Sequence, residues 1–239
     1  MILSPRLVPA LMVSILAAGC ATAPNKTPLS AESKQKIKTV ALVAVPEPEK
    51  YPLNPGQLPG GALLYAFGAL GGAVLGGIES SRYETATNEF TTAIKPTQPA
   101  IAQHWNESFL LSLQSKGYQV TMVPELPMKK DTQEADCASI AGKYDAVVVS
   151  SISSGYAVSD AVQPVSYAKV KMLSSDCGET YFSDAFSYST KPMPRATHSQ
   201  SDARFNFPSR ETLLSNPELA KEAMRTGVGT VARQAASAL

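Results

Sequence analysis

The chain predicts an α/β (α+β) fold, a mixed sheet of about five strands with helices packed on it. Three observations predict it. Short runs rich in valine stand at 39–45 ("TVALVAV"), 118–123 ("YQVTMV") and 145–153 ("DAVVVSSIS"). Ile101, Trp105, Phe109 and Leu113 recur every four residues, the stripe of an amphipathic helix. Two alternating stretches, "VSYAKVKML" (165–173) and "TYFSDAFSYS" (180–189), flank the turn "SSDCGE". Strand, helix, strand make a βα unit, and the later strands make an antiparallel meander.

In chain order, residues 21–36 are polar, hold two prolines and lack an apolar face. They predict a tether over 20–37 that spaces a single domain, 38–239, from whatever precedes it. Thr39–Val45 carries no charge and stops at Pro46, as a strand buried on both faces would. Five prolines from Pro46 to Pro59 argue against regular structure. Residues 79–95 are threonine-rich, with Tyr83, Phe90 and Ile94 spaced ambiguously, and receive no assignment. Thr97-Gln98-Pro99 reads as a helix start, and Gly117 ends that helix. Pro124 stops the next strand, residues 124–132 form a loop, and Gln133–Gly142 predict a short helix. In 165–173, Ala168, Val170 and Met172 share one face and Lys169 and Lys171 the other. Residues 190–215 read mostly as loop. Asn216-Pro217 opens a last helix with Leu219, Ala223, Val228 and Val231 inward and Gly227 and Gly229 as weak points.

Composition bounds the function. The chain has 239 residues, 44% of them hydrophobic, and a net charge of +1, so the basic footprint of a nucleic-acid binder is missing. Its first residues, "MILSPRLVPALMVSILAAGC", place Arg6 before an apolar run from Leu7 to Ala18 and then small residues. That is the layout of a secretory signal peptide over 1–19, too short for a stable spanning helix. Ala17-Ala18-Gly19-Cys20 resembles the lipobox of bacterial lipoproteins, although those signals usually carry Leu, Val or Ile where Ala17 stands. The resemblance implies acylation at Cys20. The alternative is ordinary cleavage after Ala18. Ala21 is not the aspartate that holds such lipoproteins in the inner membrane, which implies the outer membrane with the domain facing the periplasm.

A second resemblance concerns the domain. "KTVALVAVP", the amphipathic helix, "GYQV", "YDAVVVSSIS" and "SSDCGETYFS" are similar to the core pattern of a group of periplasmic α/β domains. The group includes the amino-terminal domain of TolB, the penicillin-binding-protein activator lipoprotein LpoB and the curli secretion lipoprotein CsgG. In its turn, Asp176, Gly178, Glu179 and Tyr181 fit the usual pattern. The likeness spans about residues 38–190 and implies fold rather than activity.

Residues 60–78 form the glycine-rich apolar insert. A phosphate loop would need a lysine, and none lies between Lys50 and Lys95. A slack linker would mix in polar residues. Gly68, Gly72 and Gly76 instead stand four apart, as do Ala69, Ala73 and Gly77, so a helix would carry two columns almost without side chains. Glycine costs roughly 1 kcal/mol against alanine in a helix, recovered only where another backbone packs along the smooth stripe. Three readings stand: a helix packed on protein, a helix in or on the bilayer, and an irregular loop.

Cys137 and Cys177 remain once Cys20 is assigned to lipid. If the strands at 145–153 and 165–173 are antiparallel neighbours, the turn holding Cys177 returns to the sheet edge where Cys137 lies. A disulfide and two buried free thiols are the alternatives. No catalytic constellation is legible. The two histidines, His104 and His198, lie in separate segments, there is no CxxC pair, and no G-x-S-x-G elbow is present. Neither metal, cofactor nor small-molecule substrate is expected, and His104 reads as a surface or rim residue. The sequence predicts a lipid-anchored binding or assembly module of the cell envelope that associates with itself or docks to a complex. The alternative is a component of a transport or secretion pore with 60–78 in the bilayer.

Overall fold

The structure, a computed structural model, describes residues 26–54, 77–127 and 135–239. The described residues form a mixed seven-stranded sheet with five α-helices, the α/β class that the sequence predicts. The strands are β1 (Thr39–Val43), β2 (Leu53–Asn54), β3 (Gln119–Val123), β4 (Ala146–Val158), β5 (Val162–Ser174), β6 (Thr180–Ser189) and β7 (Thr197–Gln200). Their order is β3-β1-β4-β5-β6-β7, with β2 also paired to β4. β4 and β5 run antiparallel over thirteen consecutive pairs, from Ala146 opposite Ser174 to Val158 opposite Val162. β1 and β2 both run parallel to β4, β1 beside residues 146–148 and β2 beside 156–157. The carboxylate of Asp145, just ahead of β4, accepts the N–H groups of Lys38 and Thr39 at 2.8 Å each and so fixes the start of β1.

The strand count exceeds the expected five because two strands are too short for any periodicity to show. β2 lies within the proline-rich stretch expected to be irregular. Its support is remote: the N–H of Tyr51 donates to Thr91 Oγ1 at 2.9 Å and that of Leu53 to Thr87 Oγ1 at 3.3 Å. Those threonines belong to α2 (Gly77–Ile94), the segment left unassigned in the sequence. Ala86, Phe90 and Ile94 fill its inner face. Gly155 completes the arrangement. A Cβ there would overlap the carbonyl oxygen of Pro52, which accepts the N–H of Tyr156 at 2.9 Å.

Helices cover one face of the sheet. α3 (Ile101–Ser115) buries Ile101, Trp105, Phe109 and Leu113 as the four-residue stripe predicts. It begins two residues beyond the expected Pro99. Glu47, more than fifty residues upstream, accepts the N–H groups of Ile101 and Ala102 at 2.9 and 2.8 Å, and its negative charge suits a helix N-terminus. α5 (Pro217–Ala238) lies beside α3 and crosses β5 and β6. Gly227, expected to be a weak point, is a point of close approach. A Cβ there would overlap Ser166 Oγ, whose hydroxyl bonds Ser154 Oγ at 2.7 Å beneath the helix. The short α4 (Arg210–Leu214) and β7 lie in the stretch expected to be loop, and Leu213 is buried.

Two further expectations differ from the structure. The described part of 133–142 forms turns rather than a helix; the chain reverses at Gly142, whose φ of 73° suits glycine. Residues 26–36, expected within the free tether, lie against the sheet. Thr27 exchanges both backbone hydrogen bonds with Ser183, at 2.8 and 2.9 Å, and Lys26 Nζ meets Asp184 at 2.8 Å. α1 (Ala31–Lys36) follows, capped by Ser30. β7 pairs only with residues 186–189 of β6, so the earlier part of that strand offered unpaired backbone groups for Thr27 to satisfy.

Gly155→Ala should push β2 off β4 and destabilise the fold by about 1–3 kcal/mol in urea unfolding, because the obstacle is backbone. An unchanged midpoint would show that β2 is not seated as described.

Candidate functional site

The face of the sheet opposite the helices carries no helix among the described residues. Alternation along the strands decides which side chains reach it: Ala41 and Val43 from β1, Val147 and Val149 from β4, Tyr167, Lys169 and Lys171 from β5, Ala185 from β6. Two small apolar caps sit on it. Leu126, Cys137 and Ile140 cover Ala41, Val43 and Val147 at one end. Met193 covers Val165, Tyr167 and Ala185 at the other.

Beside the Leu126 cap lies a groove of about 410 Å³, lined by Val45, Glu125, Leu126, Val149, Ser151, Lys169 and Lys171 among others. Ser151 stands opposite Lys169, and Val149 opposite Lys171, in the β4–β5 ladder. Neither lysine has an ion-pair partner among the described residues. The lining thus combines apolar side chains with two ammonium groups and the Glu125 carboxylate.

A covalent strut closes one end of the groove. Cys137, in the turns after Leu126, is joined to Cys177 in the β5–β6 turn, with Cα atoms 5.8 Å apart. The turn is built to hold its cysteine outward. Cys177 adopts a φ of 59°, Asp176 Oδ1 accepts the N–H of Gly178 at 3.0 Å, and Ser174 Oγ accepts that of Glu179 at 2.9 Å. The bond ties the cap over Val43 and Val147 to the far end of β5.

The remaining predicted residues fall differently. Cys20, Gly68, Ala69, Gly72, Ala73 and Gly76 lie outside the described residues, and Gly77 is the first residue of α2. The described residue before Gly77 is Asn54, which is buried and paired to β4 opposite Ala157. A second groove of about 420 Å³ opens beside Asn54, between the β4–β5 hairpin and Met193. Trp105 is fully buried and donates its ring N–H to Ser150 Oγ at 3.1 Å, a core role. Among the described residues no three His, Cys, Asp or Glu side chains group as metal ligands, and no helix is long and apolar enough to cross a membrane. Glu47 was not legible: its effect on α3 depends on a contact that no local spacing announces. No protein-family model matches the chain, and no curated protein matches it by sequence.

The disulfide closes a loop of forty residues. In the chain-entropy picture a loop of that size stabilises the fold by roughly 4 kcal/mol. Cys137→Ser should lower the urea midpoint accordingly, and non-reducing peptide mapping of protein exported from the cytosol should recover the 137–177 pair. Two alkylatable thiols in that material would refute the strut.

Proposed function

We propose that the chain is a lipid-anchored cell-envelope protein whose domain, on the periplasmic side of the outer membrane, serves as a binding or assembly module. The observation that carries this reading is the amino-terminal pattern of Arg6, an apolar run and Ala17-Ala18-Gly19-Cys20. The Cys137–Cys177 pair supports it, since disulfides persist in oxidising compartments. Acylated Cys20 confines the protein to one surface. Each buried methylene of an acyl chain contributes about 0.8 kcal/mol, and more than one chain is needed for stable attachment. Confinement in turn raises the effective concentration of partners on that surface.

Assembly is assigned to the small-residue stripe of Gly68, Gly72 and Gly76 with Ala69, Ala73 and Gly77, which gains its stability only against a neighbouring backbone. The partner is a second copy of the chain or an envelope protein; neither nucleic acid nor a small-molecule substrate enters this reading, and no catalytic step is assigned. The groove along Val149, Lys169 and Lys171 supplies a second contact surface.

One set of fractionation experiments tests both parts. The parent protein should incorporate labelled palmitate and sediment with outer membranes, and Cys20→Ser should lose the label and the attachment. Label retained by Cys20→Ser would remove the anchor. In detergent, Gly72→Leu should reduce the size of the assembly; an unchanged size would remove the stripe as its seam. Continued membrane partitioning of Cys20→Ser, without label, would favour insertion of 60–78 into the bilayer and the pore reading.

A further inference from the structure

A cavity of about 660 Å³ opens between α3 and α5, on the helical side of the molecule and away from the groove on the sheet. Gly229 leaves part of its wall without a side chain. A Cβ at Gly229 would stand 3.1 Å from His104 Nε2 and 3.5 Å from Arg233 Nη1, so both nitrogens border the space that the glycine leaves. Arg225 lines the same cavity.

Both guanidinium groups are held from behind. Arg225 Nε donates to the Pro99 carbonyl at 2.7 Å, and its Nη2 donates to that of Gln98 at 3.0 Å. Arg233 Nη2 donates to Thr230 Oγ1 at 3.1 Å. Donors fixed in this way lose little freedom when they meet a ligand. The imidazole of His104 has no hydrogen-bond partner among the described residues.

The balance of charge favours an anion. Glu218 is paired with Lys221, and Glu222 with Arg204. Glu107, one turn along α3 from His104, is bonded by Gln103 Nε2 at 2.8 Å. Arg225 and Arg233 have no carboxylate partner among the described residues. We propose that this cavity binds a phosphate group through Arg225, Arg233 and His104. Two planar guanidinium groups and an imidazole on one lining offer several donors, which suits the several oxygens of a phosphate.

The histidine makes the site sensitive to pH. Burial holds His104 below the ordinary imidazole range; Arg225 and, more weakly, Arg233 add to this, while Glu107 opposes it. Lys221, Glu218 and Glu222 complete the charged lining. The free site therefore holds a neutral ring near neutrality, and a bound phosphate favours the imidazolium. Binding should strengthen as pH falls through the His104 titration.

The test uses the full chain in a non-ionic detergent and follows the two histidine rings by NMR. Inorganic phosphate should move the His104 signals and raise its pKa, with His198 unmoved and chloride at equal ionic strength without effect. Gly229→Ala sets a methyl against His104 and Arg233, while alanine is the better helix former, so the variant should fold and yet bind phosphate less well. Arg233→Gln should weaken binding at least about tenfold. A His104 ring indifferent to phosphate, an equal response to chloride, or unchanged affinity in both variants would overturn the proposal. Glycerophosphoglycerol, the soluble headgroup of an anionic lipid, separates the sources: a response stronger than to inorganic phosphate assigns the site to lipid, a weaker one to soluble phosphate, and either upholds it.

Discussion

Thirteen unbroken pairs between β4 and β5 set the position of everything else in the molecule. On one flank β4 accepts two separate parallel strands, β1 near its beginning and β2 near its end. On the other flank β5 carries β6, and β6 in turn carries β7 and the Thr27 bridge. The residues of β4 and β5 that face the helices form the floor for α5, where Ser154 and Ser166 bond each other and Gly227 lets the helix settle onto them. That buried polar pair is tolerable because each hydroxyl has the other as partner.

The same ladder divides the molecule into two chemically distinct surfaces. Its helical side holds the main apolar core, built around Trp105, Phe109, Phe90 and Phe186. Among the described residues its other side has two small caps, and the lysines of β5 and Val149 of β4 line the groove beside one of them. The disulfide belongs to that second side. It does for the Leu126 cap what a helix does for the opposite face, and it does so without requiring a larger apolar core. β2 pairs with the hairpin end of the ladder, whereas the disulfide lies near the other end, at the β5–β6 turn.

Much of the fold was legible where side-chain period and burial agree. The stripe from Ile101 to Leu113 suits a helix facing a core, and the valine runs at 39–45 and 145–153 suit buried strands, although Ser151 is exposed at the groove. The alternation of Lys169 and Lys171 with Val170 and Met172 announced a sheet with one wet side. What stayed hidden depends on distant partners. Thr87 and Thr91 look like surface polar residues until Tyr51 and Leu53 are beside them, so α2 had no readable apolar face. Glu47 lies among prolines, and nothing nearby says that it stabilises the first turn of α3. Gly229 read as a defect in a helix, since only the approach of His104 and Arg233 gives the missing side chain a consequence. The residues assigned to membrane attachment and assembly are the reverse case: their pattern is legible in the sequence, and all but Gly77 lie outside the described residues.

Hydrogen exchange at single-amide resolution tests the central claim most directly. If the β4–β5 ladder is the scaffold, the inward-paired amides of residues 146–158 and 162–174 should be the last to exchange, opening only with global unfolding. β2, β7 and the Thr27 bridge should exchange well before them. Protection in α3 or α5 that outlasts the β4–β5 pairs would contradict the account, because it would make the helices the stable unit and the ladder a dependent of their packing.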